Sequence, residues 1–190
     1  MAENRKIIVA VTGASGSVYA LSLIRRLAGL KSPPTEIATL FTETAKQIWH
    51  HETGEAFHGM PPVRIYENND FFVPFASGSS DYDTMIICPA SMGTIGRIAG
   101  GISDDLVCRS ADVMLKERRR LIIVPRETPY NLMHIRNMET LTLAGAVICP
   151  ASPSFYSRPE TINDLVMTVV ERIISLAGFE ADTYRWMKND

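Results

Sequence analysis

With 190 residues, 46% of them hydrophobic and 21% charged, the chain has the make-up of a folded domain and not of a disordered segment. Its formal net charge of −2 excludes the basic excess that a nucleic-acid surface requires. No apolar run reaches the ~18–20 residues of a membrane span, so neither nucleic acid nor membrane is an expected partner.

The first predicted element is a strand. Residues 7–11 form an unbroken apolar run, the turn Gly13-Ala14-Ser15-Gly16 follows, and a helical pattern continues from Val18 to Leu27. A helix N-terminus carries roughly half a positive charge and unpaired N–H donors, so this turn suits a phosphate. The glycines read GxxG and not GxGxxG. The next strand, residues 36–41, opens on Glu36 and closes at Phe41-Thr42, leaving no acid where a dinucleotide ribose needs one. No Lys-Ser/Thr pair follows, which excludes a Walker A loop. A mononucleotide phosphate held by Ser15 and backbone donors fits the turn.

Three further apolar runs, 85–88, 121–124 and 146–149, are predicted strands. Being hydrophobic throughout, they are covered on both faces, as in a parallel sheet between helical layers. The chain therefore reads as one α/β domain over 1–190, a three-layer, Rossmann-like, doubly wound fold with a mostly parallel sheet. Ser103 is the expected cap of a helix that begins with Asp104-Asp105 and runs to about Arg119. Asn131 to Gly145 bounds the next helix, and Thr161 with Asp164 reads as the capping box of a last helix ending at Gly178. Residues 52–82, with Gly54, Gly59, Pro61-Pro62 and Pro74, read as a long irregular segment of interfacial or active-site type. Residues 179–190 read as a C-terminal tail.

Ligands in such folds sit at the carboxyl ends of the strands. Those ends carry Thr12 to Gly16, then Thr42-Glu43-Thr44, then Ser91-Met92-Gly93-Thr94, then Arg126-Glu127, then a loop with Tyr156 and Arg158. Hydroxyls at three ends and an Arg-Glu pair at the fourth converge on one crevice. Arg109 and Lys116 are seven residues apart and share a helix face. That spacing equally fits a solvated face paired as Asp105–Arg109 and Asp112–Lys116. Arg118, Arg119 and Arg120 read as a solvated helix end. Neither the three cysteines nor the four histidines have metal-ligand spacing, so no metal is expected, and cysteine usage points to a reducing, cytoplasmic compartment. Residues 1–6 lead straight into the first strand and leave no room for a signal peptide.

The segments TGASG, CPASMGT, RSADVMLKERR, PRETP and FYSRPET, with the closing Arg185-Trp186, together resemble the flavin prenyltransferase family. That resemblance implies an FMN-binding Rossmann-like enzyme that joins a dimethylallyl group from dimethylallyl monophosphate to reduced FMN. Bonds form at flavin N5 and C6, without a metal. It implies a UbiD-type decarboxylase as recipient of the prenylated FMN, and a homo-oligomer, typically a dodecamer, with sites between subunits. By motif, Gly13, Ala14, Ser15, Thr42, Ser91, Met92, Gly93, Thr94 and Arg126 match the FMN positions, Thr42 standing where the family usually has Ser. Arg109, Lys116, Tyr156 and Arg172 match the residues that hold the prenyl phosphate. Glu127, Glu52 and Ser15 match those that handle protons, with Lys116 also at the reacting phosphate. Phe71 matches the aromatic contact of the prenyl chain, where the family often has Trp.

Two other readings share this fold. One is an FMN-dependent cysteine decarboxylase, which is marked by a PxMNxxMW segment and a His near the first strand. This chain has PASPSFYSRPE and no His before His50. The other is a non-catalytic FMN-binding accessory subunit, which need not keep Glu127, Lys116 and Tyr156.

Overall fold

In the computed structural model, residues 5–180 are described, and six parallel strands form a single sheet in the order β3-β2-β1-β4-β5-β6. The strands are β1 (Lys6–Val11), β2 (Glu36–Phe41), β3 (Val63–Tyr66), β4 (Tyr82–Ala90), β5 (Arg120–Pro125) and β6 (Val147–Ile148). The helices are α1 (Ser17–Ala28), α2 (Glu43–Thr53), α3 (Met92–Ala99), α4 (Leu106–Lys116), α5 (Leu132–Leu143) and α6 (Ile162–Leu176). Arg185-Trp186 and the tail beyond residue 180 lie outside the described residues.

Strand side chains alternate between faces, and the core divides accordingly. Ile8, Ala10, Met85, Ile87, Leu121 and Ile123 pack with α3, α4 and α5 on one face. Ile7, Val9, Ile86, Cys88, Ile122 and Val124 pack with α1 and α6 on the other. The unbroken apolar runs arise because both faces are buried. Each of the Ile, Val, Leu and Met side chains contributes roughly 1.5–3 kcal/mol on leaving water.

Several expectations are corrected. Residues 52–82 are not wholly irregular, because Glu52 belongs to the last turn of α2 and residues 63–66 form β3. β3 is a half-exposed edge strand, so its sequence, Val-Arg-Ile-Tyr, lacks the continuous apolar signature of the buried strands. The cap of α4 is Asp105, whose side chain accepts from Cys108 N–H, and not Ser103. The helix stops at Lys116 because Arg118 adopts a left-handed φ of 55° and the chain reverses into β5.

Arg119 and Arg120 are not a solvated helix end. Arg119 donates to the Gly78 and Tyr82 carbonyls and to the Ser80 hydroxyl, and Arg120 donates to the Ala177 carbonyl. They tie the 76–82 loop and the end of α6 to the sheet. The expected pairs Asp105–Arg109 and Asp112–Lys116 also do not form. Asp105 pairs with Arg97, Arg109 with Asp112 at 3.1 Å, and Lys116 with Glu117.

Candidate functional site

β1 lies between β2 and β4, and the crossovers leave these strands in opposite directions, which opens a crevice at their carboxyl ends. Thr12, buried at 1% exposure, closes the floor of that crevice. Its hydroxyl donates to the Pro89 carbonyl at 2.9 Å and accepts from Ser91 N–H at 2.8 Å. Arg126 N–H reaches the Ala90 carbonyl and Thr42 N–H the Val11 carbonyl. Four strand ends are thereby hydrogen-bonded into one structure, which brings Gly13, Ala14, Ser15, Thr42, Ser91 and Arg126 together.

The Gly13–Gly16 turn delivers α1 through a backbone that only glycine adopts readily, with φ 111° at Gly16. No side chain of the turn caps the helix. The cap comes from α2. Glu52 accepts from Gly16 N–H at 3.0 Å and from Ser17 N–H at 2.7 Å. Partial burial works against ionisation of Glu52. Bonds from the Ser15 and Ser17 hydroxyls and from these two N–H groups outweigh it and draw its pKa down to about 2. A carboxylate therefore holds the anion position that the turn suggested for a phosphate, and Ser15 stands exposed beside it.

A second helix N-terminus faces the same crevice. Ser91 caps α3, its hydroxyl accepting from Thr94 N–H at 3.3 Å and lying 3.1 Å from the Thr94 hydroxyl. Met92 turns its side chain into the core at 8% exposure, so only its backbone faces the helix end, while Gly93 is exposed with open space where a Cβ would stand. Thr42 caps α2 by accepting from Ala45 N–H at 3.2 Å. A Cβ on Gly13 would come within 2.9 Å of the Thr44 side chain, so the turn and the α2 start fit only with glycine there. The Arg126 side chain passes along Gly16 beside Tyr19. Arg126 has no ion-pair partner among the described residues, and Glu127 instead accepts from Thr128 N–H at 2.9 Å.

The four residues expected on a prenyl phosphate fall into two groups on opposite faces of the sheet. Arg109 and Lys116 are on α4, where Arg109 donates to the Ala76 carbonyl at 3.0 Å and Lys116 stands against Gly78. Tyr156 and Arg172 line an open cavity of about 1290 Å³ between α6 and the loop after β6, together with Arg158, Thr168 and Glu171. One chain does not bring the two groups together. Phe71 is 42% exposed and its neighbour Phe72 fully so, outside the core of the 52–82 segment. Asp104, Asp105 and Cys108 place ligand atoms within 4.8 Å of one another, but Arg97 pairs with both acids and Asp105 is committed as a cap.

A family model described as Flavoprotein matches residues 1–174. A flavin prenyltransferase, UbiX, of Methanocaldococcus jannaschii is 40% identical over 184 residues, covering 95% of this chain and 98% of that protein. The chain belongs to the flavin prenyltransferase family. Among solved structures, AnUbiX (PadA1) in complex with FMN and dimethylallyl pyrophosphate superposes with a TM-score of 0.88 at 37% identity, covering 99% of this chain and all of that one. A dodecameric FMN-dependent UbiX-like decarboxylase from Escherichia coli O157:H7 also gives 0.88, at 34% identity, covering 96% and 99%.

The crevice is also shaped by Thr12, Thr44 and Tyr19, to which the sequence alone assigns no individual role. Thr12 is the tie between two turns, Thr44 sets the space above Gly13, and Tyr19 packs at Arg126. A buried threonine directly after a strand and before a glycine turn is a readable signal for the first. The others depend on contacts between distant segments.

Proposed function

We propose that this chain transfers a dimethylallyl group from dimethylallyl monophosphate to reduced FMN, forming bonds at flavin N5 and C6 and releasing inorganic phosphate. The observation that carries the reading is the crevice where the exposed Ser15 and the α3 N-terminus converge with Arg126, in a chain 40% identical to a flavin prenyltransferase over nearly its whole length. The residues fit FMN. The α3 N-terminus supplies oriented N–H donors and hydroxyls for the flavin phosphate, and Arg126 supplies an uncommitted cation. Gly13, against which Thr44 packs closely, holds the glycine turn to the start of α2 at the edge of the crevice.

When bound, reduced FMN supplies the nucleophilic nitrogen and carbon. The protein must stabilise a leaving phosphate while tolerating a cation-like allylic carbon. Arg109, Lys116, Tyr156 and Arg172 hold the phosphate, and Phe71 offers an aromatic face to the prenyl chain. Glu52 keeps Ser15 oriented at the flavin edge and, being ionised, accepts hydrogen bonds without holding a proton of its own. Glu127, exposed at the end of β5, is the group placed to move protons. Because α4 and α6 lie on opposite faces of the sheet, a complete phosphate site requires a second subunit, and a homododecamer supplies it. The product serves a UbiD-type decarboxylase in the cytoplasm. No helix among the described residues is long and apolar enough to cross a membrane.

Phosphate release from dimethylallyl monophosphate tests the reading. Release that requires reduced FMN is expected, and release at the same rate without flavin would contradict it.

A further inference from the structure

The cavity that contains Tyr156 and Arg172 has an acid that the reaction does not call for. Glu171 precedes Arg172 on α6 and lines the same cavity, yet it is only 8% exposed. Its Oε1 accepts from Arg26 Nε of α1 at 2.7 Å. Its Oε2 is enclosed and, among the described residues, has no hydrogen-bond partner. An enclosed carboxylate oxygen left unpartnered costs roughly 1–3 kcal/mol, so its retention beside an anion-binding cavity calls for a compensating use.

The other acids of the cavity differ. Asp164 is exposed, and its carboxylate is committed to the Thr161 and Glu160 N–H groups at the start of α6. Glu160 is exposed to water. Glu171 lies two thirds of the way along α6, beyond Asp164 and Thr168 and further from the strand carboxyl ends where the flavin crevice opens. Arg26 approaches Glu171 from α1 and is not among the residues that line the cavity, so of this ion pair only the acid belongs to the cavity wall.

We propose that Glu171 is a specificity-determining residue that makes this cavity select a phosphate monoester over a diphosphate ester. The inference rests on the prenyl-transfer reading, in which Tyr156 and Arg172 hold the first phosphoryl group with the prenyl tail directed to the flavin. A second phosphoryl group then extends away from the tail, along α6 toward Glu171. The cavity is wide enough to admit it, so shape does not exclude the diphosphate; charge does. The diphosphate carries one more negative charge, and that charge is brought toward a carboxylate that is 8% exposed and paired on its far side with Arg26. Discrimination by repulsion of the wrong ligand is a general route to specificity. For a charge beside an ion pair at the edge of a protein the effect is ~3- to 10-fold.

The test compares adduct formation from dimethylallyl monophosphate and dimethylallyl diphosphate, with reduced FMN, in the wild type and in Glu171→Gln. Glutamine keeps a carbonyl acceptor for Arg26 and removes the charge. The expected result is a ~3- to 10-fold rise in kcat/KM for the diphosphate relative to the monophosphate. Because each variant is compared with itself on two donors, a loss of folded protein cancels from the ratio. Inhibition of the wild type supplies a second measurement, in which inorganic phosphate is expected to compete with the donor more strongly than pyrophosphate does. An unchanged donor ratio in Glu171→Gln, or stronger inhibition by pyrophosphate, overturns the inference alone. A wild type that forms adduct from neither donor overturns the prenyl-transfer reading and the inference with it.

Discussion

Glu52 Oε2 accepts the backbone N–H of Ser17 at 2.7 Å, so the last turn of α2 caps the first turn of α1. The same carboxylate also takes the Gly16 N–H, and its charge meets the positive end of the α1 dipole. This one contact ties the glycine turn that shapes the crevice to the segment leading into β3.

The contact predicts a pH-dependent increment of stability. The folded pKa of Glu52 lies near 2, below its ordinary 4.5, so the stabilisation is fully present above about pH 4.5 and is lost as pH falls toward 2. Glu52 is an exposed residue and solvent screens the interaction, so the increment is ~0.5–1 kcal/mol. Urea unfolding of the wild type and Glu52→Gln should show that gap at pH 7 and a shrinking gap at pH 3. A gap of constant size would place the carboxylate elsewhere.

Arg126 should be required for flavin retention. It reaches the crevice with no ion-pair partner among the described residues, so its charge is available to a phosphate or a flavin carbonyl. A charged hydrogen bond is worth ~1.5–3 kcal/mol, which is roughly a 10- to 200-fold change in affinity. Titration of Arg126→Ala with FMN should show a loss in that range.

Glu127 should matter for chemistry and not for binding. A positioned acid–base group contributes ~10²–10⁴-fold in rate. Glu127→Gln should therefore retain FMN and the donor while forming the adduct slowly, as followed by single-turnover kinetics. Wild-type rates in this variant would remove Glu127 from the proton inventory.

The separation of Arg109 and Lys116 from Tyr156 and Arg172 across the sheet predicts complementation between subunits. Lys116→Ala and Arg172→Ala should each use the donor poorly while binding FMN. Co-refolded in equal amounts, they should recover about a quarter of wild-type activity, the fraction of shared sites with both residues intact. No recovery would mean that both groups act from one chain.

How much of this was legible in the sequence follows from where each signal resides. The β1 run and the glycine turn after it are local features, and the crevice they form is where local reading puts it. The Thr161–Asp164 capping box is likewise contained within four residues and is present as expected. β3 was missed because an edge strand buries little and its residues follow Pro61-Pro62. Ser103, Asp104 and Asp105 all have cap-forming side chains, and only the reach of Asp105 to Cys108 N–H decides among them. Arg119 read as solvated because its partners, Gly78 and Ser80 before β4 and Tyr82 at its start, are 37 to 41 residues away. Glu171 was invisible for the same reason, its partner Arg26 being 145 residues away.

Mass spectrometry of the flavin tests the central claim most directly. After incubation with reduced FMN and dimethylallyl monophosphate under anaerobic conditions, the protein should yield a flavin heavier by one dimethylallyl unit, together with free phosphate. Recovery of unmodified FMN from an FMN-loaded, fully assembled protein would contradict the account.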